Sequence, residues 1–468
     1  MTHDVVVVGG GPAGSTAATL LARDGYDVVL FEKERFPRDH VGESLLPFCH
    51  SLFKNLGVLE ELSRGFVRKP GVRFMDRSGK HTTHWCFSHV IKDESYLSFQ
   101  VLRSEFDQIL LNNSRRHGAH VFEETRVREI DLSSEAEGVM VVTEGPGGQQ
   151  THHARFLVDA SGRDAIVGAR NGWRQPREEL DRTALWSHWT GVTLEGGLEE
   201  GLSLILYVGE EKKGWIWIFP LGPDRITAGF VCQNSYLRDQ KKMLEASGSG
   251  DWQQEVMIQE LAQAPFVRQL LAGTTQVIPV QVNGNYSYEV KHHYGSNYAM
   301  VGDARGFIDP IFSSGIFLSI KTAHLVAAAI HQKLSTGTTG VIPEMVRAYQ
   351  QVEGAYGFVH RMIRLFYNPD SVTWAQVGAD GEVHRAHRSV MAVGHFMLSG
   401  DFFENYEKYH RFFTLLEDPR AFDRYKKTIL ERSGVSETSC NVGFETIFQD
   451  MLAADARRSG RPMEQVPA

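Results

Sequence analysis

The sequence predicts an α/β protein in which a discontinuous Rossmann-like domain is interrupted by a mixed-sheet domain and followed by a helical C-terminal subdomain. Three observations predict it. A β-branched run, Asp4 to Val8, passes directly into Gly9-Gly10-Gly11-Pro12-Ala13-Gly14. Between residues 181 and 289 the pattern is rich in strands and aromatics, with Trp215-Ile216-Trp217-Ile218-Phe219-Pro220 as its most telling stretch. From Pro343 onward the apolar spacing turns helical.

The first run lacks polar alternation, which suits a strand buried on both faces of a parallel sheet. Gly9, Gly11 and Gly14 meet the G-x-G-x-x-G pattern, with Ala13 between them. The spacing predicts a helix from Ser15 to about Asp24 with Gly25 as its stop, then a strand from Asp27 to Phe31 ending at Glu32 and Lys33. Such glycines permit a tight turn and close approach of backbone to a pyrophosphate, and the helix N-terminus offers N–H groups and a positive dipole end. Glu32 lies 21 residues after Gly11, where a carboxylate can hold ribose hydroxyls. Whether the dinucleotide is FAD or NAD is not settled by this unit.

Composition bounds the rest. The 468 residues can fill two or three domains, and 42% hydrophobic and 23% charged residues describe an ordinary globular chain. The net charge of −8 argues against broad nucleic-acid binding. Cys49, Cys86, Cys232 and Cys440 lack metal-ligand spacing, so they read as reduced thiols of a cytoplasmic protein with no metal. No stretch has the uninterrupted apolar length of a membrane span.

Two later segments point to FAD. Phe156-Leu-Val-Asp159 ends in Gly162 and Arg163, and Tyr298 to Val301 ends in Gly302 and Asp303. With Val101-Leu102-Arg103, whose following Ser104 and Asp107 have the spacing of a variant capping box, these segments resemble the FAD-dependent aromatic monooxygenase superfamily. The resemblance implies cofactor contacts at Arg103, Asp159, Gly162, Gly302 and Asp303.

Within that superfamily the chain resembles a flavin-dependent halogenase from about Asp4 to about Lys333. The signature W-x-W-x-I-P is met by Trp215, Trp217 and Pro220, with Phe219 in place of Ile. The pattern F-x-x-P-x-x-S-x-G is met by Phe307, Pro310, Ser313 and Gly315. Phe36 to Pro47 resembles the stretch that leads onto the flavin ring, so Gly42, Glu43 and Ser44 are expected to line the flavin. Lys69 aligns with the lysine these enzymes need.

Each match has a physical rationale. Trp215 and Trp217, two residues apart on a strand, face one side and can form a wall between flavin and substrate that only a small molecule passes. Ser314 and Gly315 precede an apolar helical run, so their N–H groups make an anion site suited to chloride or bromide. At Lys69 an ammonium can hydrogen-bond hypohalous acid, or a desolvated amine can be halogenated; the sequence is compatible with both. Trp186, His188 and Trp189 are expected to add to the wall.

Residues 1–70, 100–180 and 290–335 are assigned to the FAD-binding domain, 71–99 and 181–289 to the substrate sheet domain, and 336–468 to the helical subdomain. The single G-x-G-x-x-G, with no second unit for NADPH, and the resemblance together imply FADH2 delivered by a separate flavin reductase. No counterpart of the glutamate of tryptophan halogenases is evident, which directs the expectation to the phenol and pyrrole branch, to secondary metabolism such as antibiotic biosynthesis, and to a small aromatic substrate, free or tethered to an acyl or peptidyl carrier protein. His384 to Arg388 and Arg424 to Arg432 are candidate basic patches for such a carrier. The competing readings are an FAD-dependent aromatic hydroxylase and an FAD-dependent dehydrogenase or reductase.

Overall fold

A computed structural model describes residues 2–371 apart from 81, 134–137, 210–213, 249 and 369, and within 394–420 it describes 394, 396–403, 406, 409, 410, 413, 414 and 417–420. Two sheets organise it. In the first, Thr2–Val8 lies between Val28–Phe31 and Gly148–Asp159, parallel to both. His120–Phe122 extends one side, and Tyr298–Met300 pairs in parallel with the C-terminal half of Gly148–Asp159. The other half of that long strand turns antiparallel against Val139–Gly145, which pairs with Arg126–Asp131. Val5, Val6 and Val7 are fully buried, as expected of a strand covered on both faces.

The first helix is Pro12–Arg23, three residues earlier at its start than the sequence suggested. Proline is tolerated in a first helical turn, where its missing N–H has no intrahelical role. Gly25 follows with φ +89°, a backbone that favours glycine. This helix packs against Gly315–Thr336 and Arg103–Arg116. Gly14 lets the helix sit tightly on the preceding turn: a Cβ there would lie 1.9 Å from the Gly9 carbonyl oxygen.

In the second sheet the order is Thr275–Gln276, Arg182–Thr190, Arg225–Gln233, Trp215–Pro220, Ser203–Tyr207, Gly71–Met75, Thr82–Cys86, with Gln281–Gly284 also on Arg182–Thr190. Strand alternation gives it two apolar faces. Trp186, Trp215, Trp217 and Phe219 join the core shared with the first domain. Leu185, Trp189, Ile216 and Ile218 face the other way, under Asn234–Ala246, Trp252–Ala262 and Pro265–Leu270. Trp189 therefore does not join the wall, because it differs from Trp186 by an odd number of residues on one strand.

After Gly315–Thr336, helix Pro343–Tyr367 continues the chain. Its Phe358 packs with Phe402, Tyr409 and Phe413, so these aromatics serve packing. Trp374, Phe412 and both candidate basic patches lie outside the described residues.

Candidate active site

One cavity of about 340 Å³ runs between the two sheets. At one end lie Gly9, Gly11, Ala13, Glu32 and Lys33; at the other lie Trp215, Trp217, Phe219, Pro310, Ser314 and Gly315. Gly42, Glu43, Ser44, Arg103, Gly162 and Asp303 also line it.

The first end fits a dinucleotide. Gly9 has φ +103°, and a Cβ on Gly11 would meet nothing nearer than the Arg38 guanidinium at 3.8 Å, so backbone faces open space before the first helix. Glu32 accepts from the Gly10 N–H at 2.6 Å and the Glu34 N–H at 2.8 Å, which aims its carboxylate at the cavity. Lys33 pairs with Asp164 at 2.6 Å. Burial lifts the Asp303 carboxyl to about 6, against the pull of Arg103 and Arg163.

Some expected residues lie outside the cavity lining. Asp159 does not line the cavity; it accepts from the Ser161 N–H and hydroxyl and from the Val167 N–H, tying down the loop after its strand. Gly14 and Gly302 serve packing, since a Cβ on Gly302 would lie 2.9 Å from the Ala13 methyl group. Pro220 closes the tryptophan strand outside the cavity lining. Ser104 and Asp107 form no capping box: Leu102 occupies the N-cap, and Asp107 instead receives Arg103 at 2.8 Å and Arg38 at 3.0 Å. Two guanidiniums hold this fully buried carboxyl below its ordinary range despite desolvation.

At the far end Trp215 and Trp217 do share a face, ring centroids 5.5 Å apart and tilted by 45°. Phe219 stacks on Trp217 at 6.5 Å, so the larger residue in the motif lengthens the aromatic surface. Gly229, across from Trp217, leaves room for its indole. Trp215 Nε1 donates to the Tyr367 hydroxyl at 2.7 Å. Tyr367 and Tyr286 each donate to Asp309 Oδ2 at 2.9 Å, and the Ile311 N–H reaches Oδ1 at 3.1 Å. Burial raises the Asp309 carboxyl even so, with Arg182 opposing. Sequence reasoning passed over Asp309, although it sits inside the Phe307–Gly315 pattern.

Helix Gly315–Thr336 begins at the same wall. Ser314 stands at its N-cap without a side-chain cap bond, and a Cβ on Gly315 would meet nothing within 4 Å. The 22-residue helix thus turns an uncapped, dipole-positive end to the cavity.

Lys69 ends the short strand Val67–Lys69 and is 2% exposed. It stands behind the cavity lining: Nζ donates to the carbonyl of Leu45, next to Ser44, at 3.0 Å and lies 5.5 Å from the Phe87 ring centroid. Desolvation lowers its pKa to about 7.

Comparison with known proteins decides the family. The FAD binding domain family matches residues 2–345. The flavin-dependent halogenase armH1 of Armillaria mellea is 32% identical over 377 residues, covering 75% of this chain and 72% of the relative. The chain belongs to the flavin-dependent halogenases. A tryptophan 2-halogenase of Chondromyces crocatus is 34% identical over 330 residues, covering 70% of the chain and 60% of the relative. Among solved structures, the myxobacterial chondrochloren halogenase CndH superposes with a TM-score of 0.68 at 26% identity, over 93% of this chain and 99% of that one. The enzyme is thus a FAD-dependent oxidoreductase with a Rossmann-like cofactor domain. Among the described residues, no helix is long and apolar enough to cross a membrane.

Proposed function

We propose that this halogenase places chloride or bromide on an electron-rich aromatic ring, phenolic or pyrrolic, through hypohalous acid. The observation that carries the reading is one cavity walled by a dinucleotide cradle, an uncapped helix end and the Trp215–Trp217–Phe219 surface, with the buried amine of Lys69 behind it.

Gly9, Gly11, Glu32, Lys33, Arg103 and Asp303 hold FAD, and the reduced cofactor with O2 supplies the oxidising equivalent that converts halide to hypohalous acid. Ser314 and Gly315 hold the halide at the helix end. The aromatic wall keeps the organic ring away from the cofactor and lets only the small oxidant pass. Lys69, titrating near neutrality, meets that oxidant as amine or ammonium. The ring then takes the halogen and loses a proton, and the oxidant's oxygen leaves as water. Preference for a phenol or pyrrole rests on the missing counterpart of the tryptophan-halogenase glutamate; such rings need less help from a base.

The single dinucleotide fingerprint supports delivery of FADH2 by a separate reductase in the cytoplasm. Incubation with reduced FAD, O2, chloride or bromide and a phenol and pyrrole panel, free and carrier-tethered, tests the reading by product mass. Halide-independent addition of oxygen would assign a hydroxylase instead.

A further inference from the structure

Glu43 is a buried carboxylate in the cavity wall, 2% exposed, between Gly42 and Ser44. Its Oε1 lies 2.8 Å from His188 Nε2, and both side chains are 1% exposed. His188 Nδ1 in turn lies 2.9 Å from Arg225 Nη2. A guanidinium only donates and does not give up its proton. Nδ1 is therefore the acceptor, the proton of the neutral ring sits on Nε2, and it is donated to Glu43. This chain cannot conduct a proton outward, because Arg225 blocks its end. It is a lock that fixes Glu43 as a hydrogen-bond acceptor.

The second oxygen, Oε2, makes no hydrogen bond to the described residues and opens onto the cavity. Arg103, whose charge also acts on Glu43, spends its guanidinium on Asp107 and the Val41 carbonyl. An acceptor that loses its water when the cavity is filled is costly to leave unmet, so whatever fills the cavity should bring a donor. Oxidised isoalloxazine carries a single ring N–H and otherwise presents acceptors. Two-electron reduction turns acceptor nitrogens into N–H donors.

We propose that Glu43, locked by His188 and Arg225, makes this cavity select reduced over oxidised flavin. The inference deepens the reading that FADH2 arrives from outside, and rests on it. A site that prefers the reduced form captures it from dilute solution and releases the spent cofactor.

The test is an anaerobic redox titration of the flavin-loaded protein, together with the affinity for oxidised FAD. Glu43→Gln keeps an acceptor for His188 but turns a donor toward the cavity. Loss of one charge-assisted bond should reduce the oxidised-to-reduced Kd ratio about tenfold. At fixed pH that is a fall of about 30 mV in the midpoint potential of the bound flavin. His188→Phe and Arg225→Met should fall in the same direction by less. Arg225→Lys and His188→Gln, which keep a donor at each link, should return to the wild-type potential. Nitrogen NMR of His188 should show the Nε2–H tautomer, and a mixture in Arg225→Met. Should Glu43→Gln fail to fold, Arg225→Met, altered at a half-buried position, gives the same reading. An unchanged or raised potential in the variant that folds, or an Nδ1–H tautomer in the wild type, overturns the proposal. The titration needs no halide, oxygen or substrate. A protein that shows the potential drop but yields no halogenated product would keep the lock and lose the proposed function.

Discussion

The amine of Lys69 titrates at about 7 in the fold, against 10.5 for an ordinary lysine. Between those values the unfolded chain holds the extra proton, so stability rises with pH across this window, and the penalty for burying the ammonium is complete below about 7. Lys69→Met removes the penalty. In urea unfolding the variant should gain stability over wild type at pH 6 and lose that advantage by pH 10; a constant difference would mean that Lys69 is not buried as an amine. Lys69→Ala and Lys69→Arg should still bind FAD and support its oxidation by O2, yet give no halogenated product, since a guanidinium differs in shape and nucleophilicity. Product from either at wild-type yield would remove Lys69 from the chemistry.

Strand pairing decides how the aromatic wall stands. A Cβ on Gly229 would lie 2.2 Å from the Trp217 ring, which lies on the neighbouring strand. Gly229→Ala should displace the indole, cost about 1–3 kcal/mol, and lower the halogenated yield per flavin oxidised as oxidant escapes to water. Unchanged coupling between flavin oxidation and product would show that the indole is not the barrier. Helix Pro343–Tyr367 contributes at the same place through its last residue. Tyr367→Phe leaves Trp215 Nε1 and one bond to Asp309 unmet. The loss should be about 1–3 kcal/mol, with a changed tryptophan emission. A variant with wild-type stability and spectrum would mean that water replaces the phenol there.

At the scale of the molecule, cofactor binding and folding are linked, because the cavity is walled by both sheets. FAD at 100 times its Kd should stabilise the protein by about 2.7 kcal/mol. Glu32→Ala removes the acceptor for the Gly10 and Glu34 N–H groups. It should lower both the stability without FAD and the gain on adding it; a full gain would show that Glu32 serves the loop alone. NADPH without a reductase should leave bound FAD oxidised, and rapid bleaching would favour the hydroxylase reading.

The local pattern of residues was enough to specify the βαβ unit, the common face of Trp215 and Trp217, and a helix directly after Ser314 and Gly315, because each depends on neighbours along the chain: strand period, glycine φ and a helix end. It misjudged Ser104 and Asp107 as a capping box because Arg103 and Arg38 meet Asp107 only once the chain is folded. It expected Asp159 at the cofactor, where the carboxylate instead closes on Ser161 and Val167. The Arg225–His188–Glu43 lock and the Asp309 bonds to Tyr286 and Tyr367 join residues distant in sequence. Motif order determined what cofactor chemistry the chain could host. Which carboxylates face the cavity, and which amine is pushed towards neutrality, was decided by tertiary burial, since desolvation and hydrogen-bond partners exist only where separate segments meet.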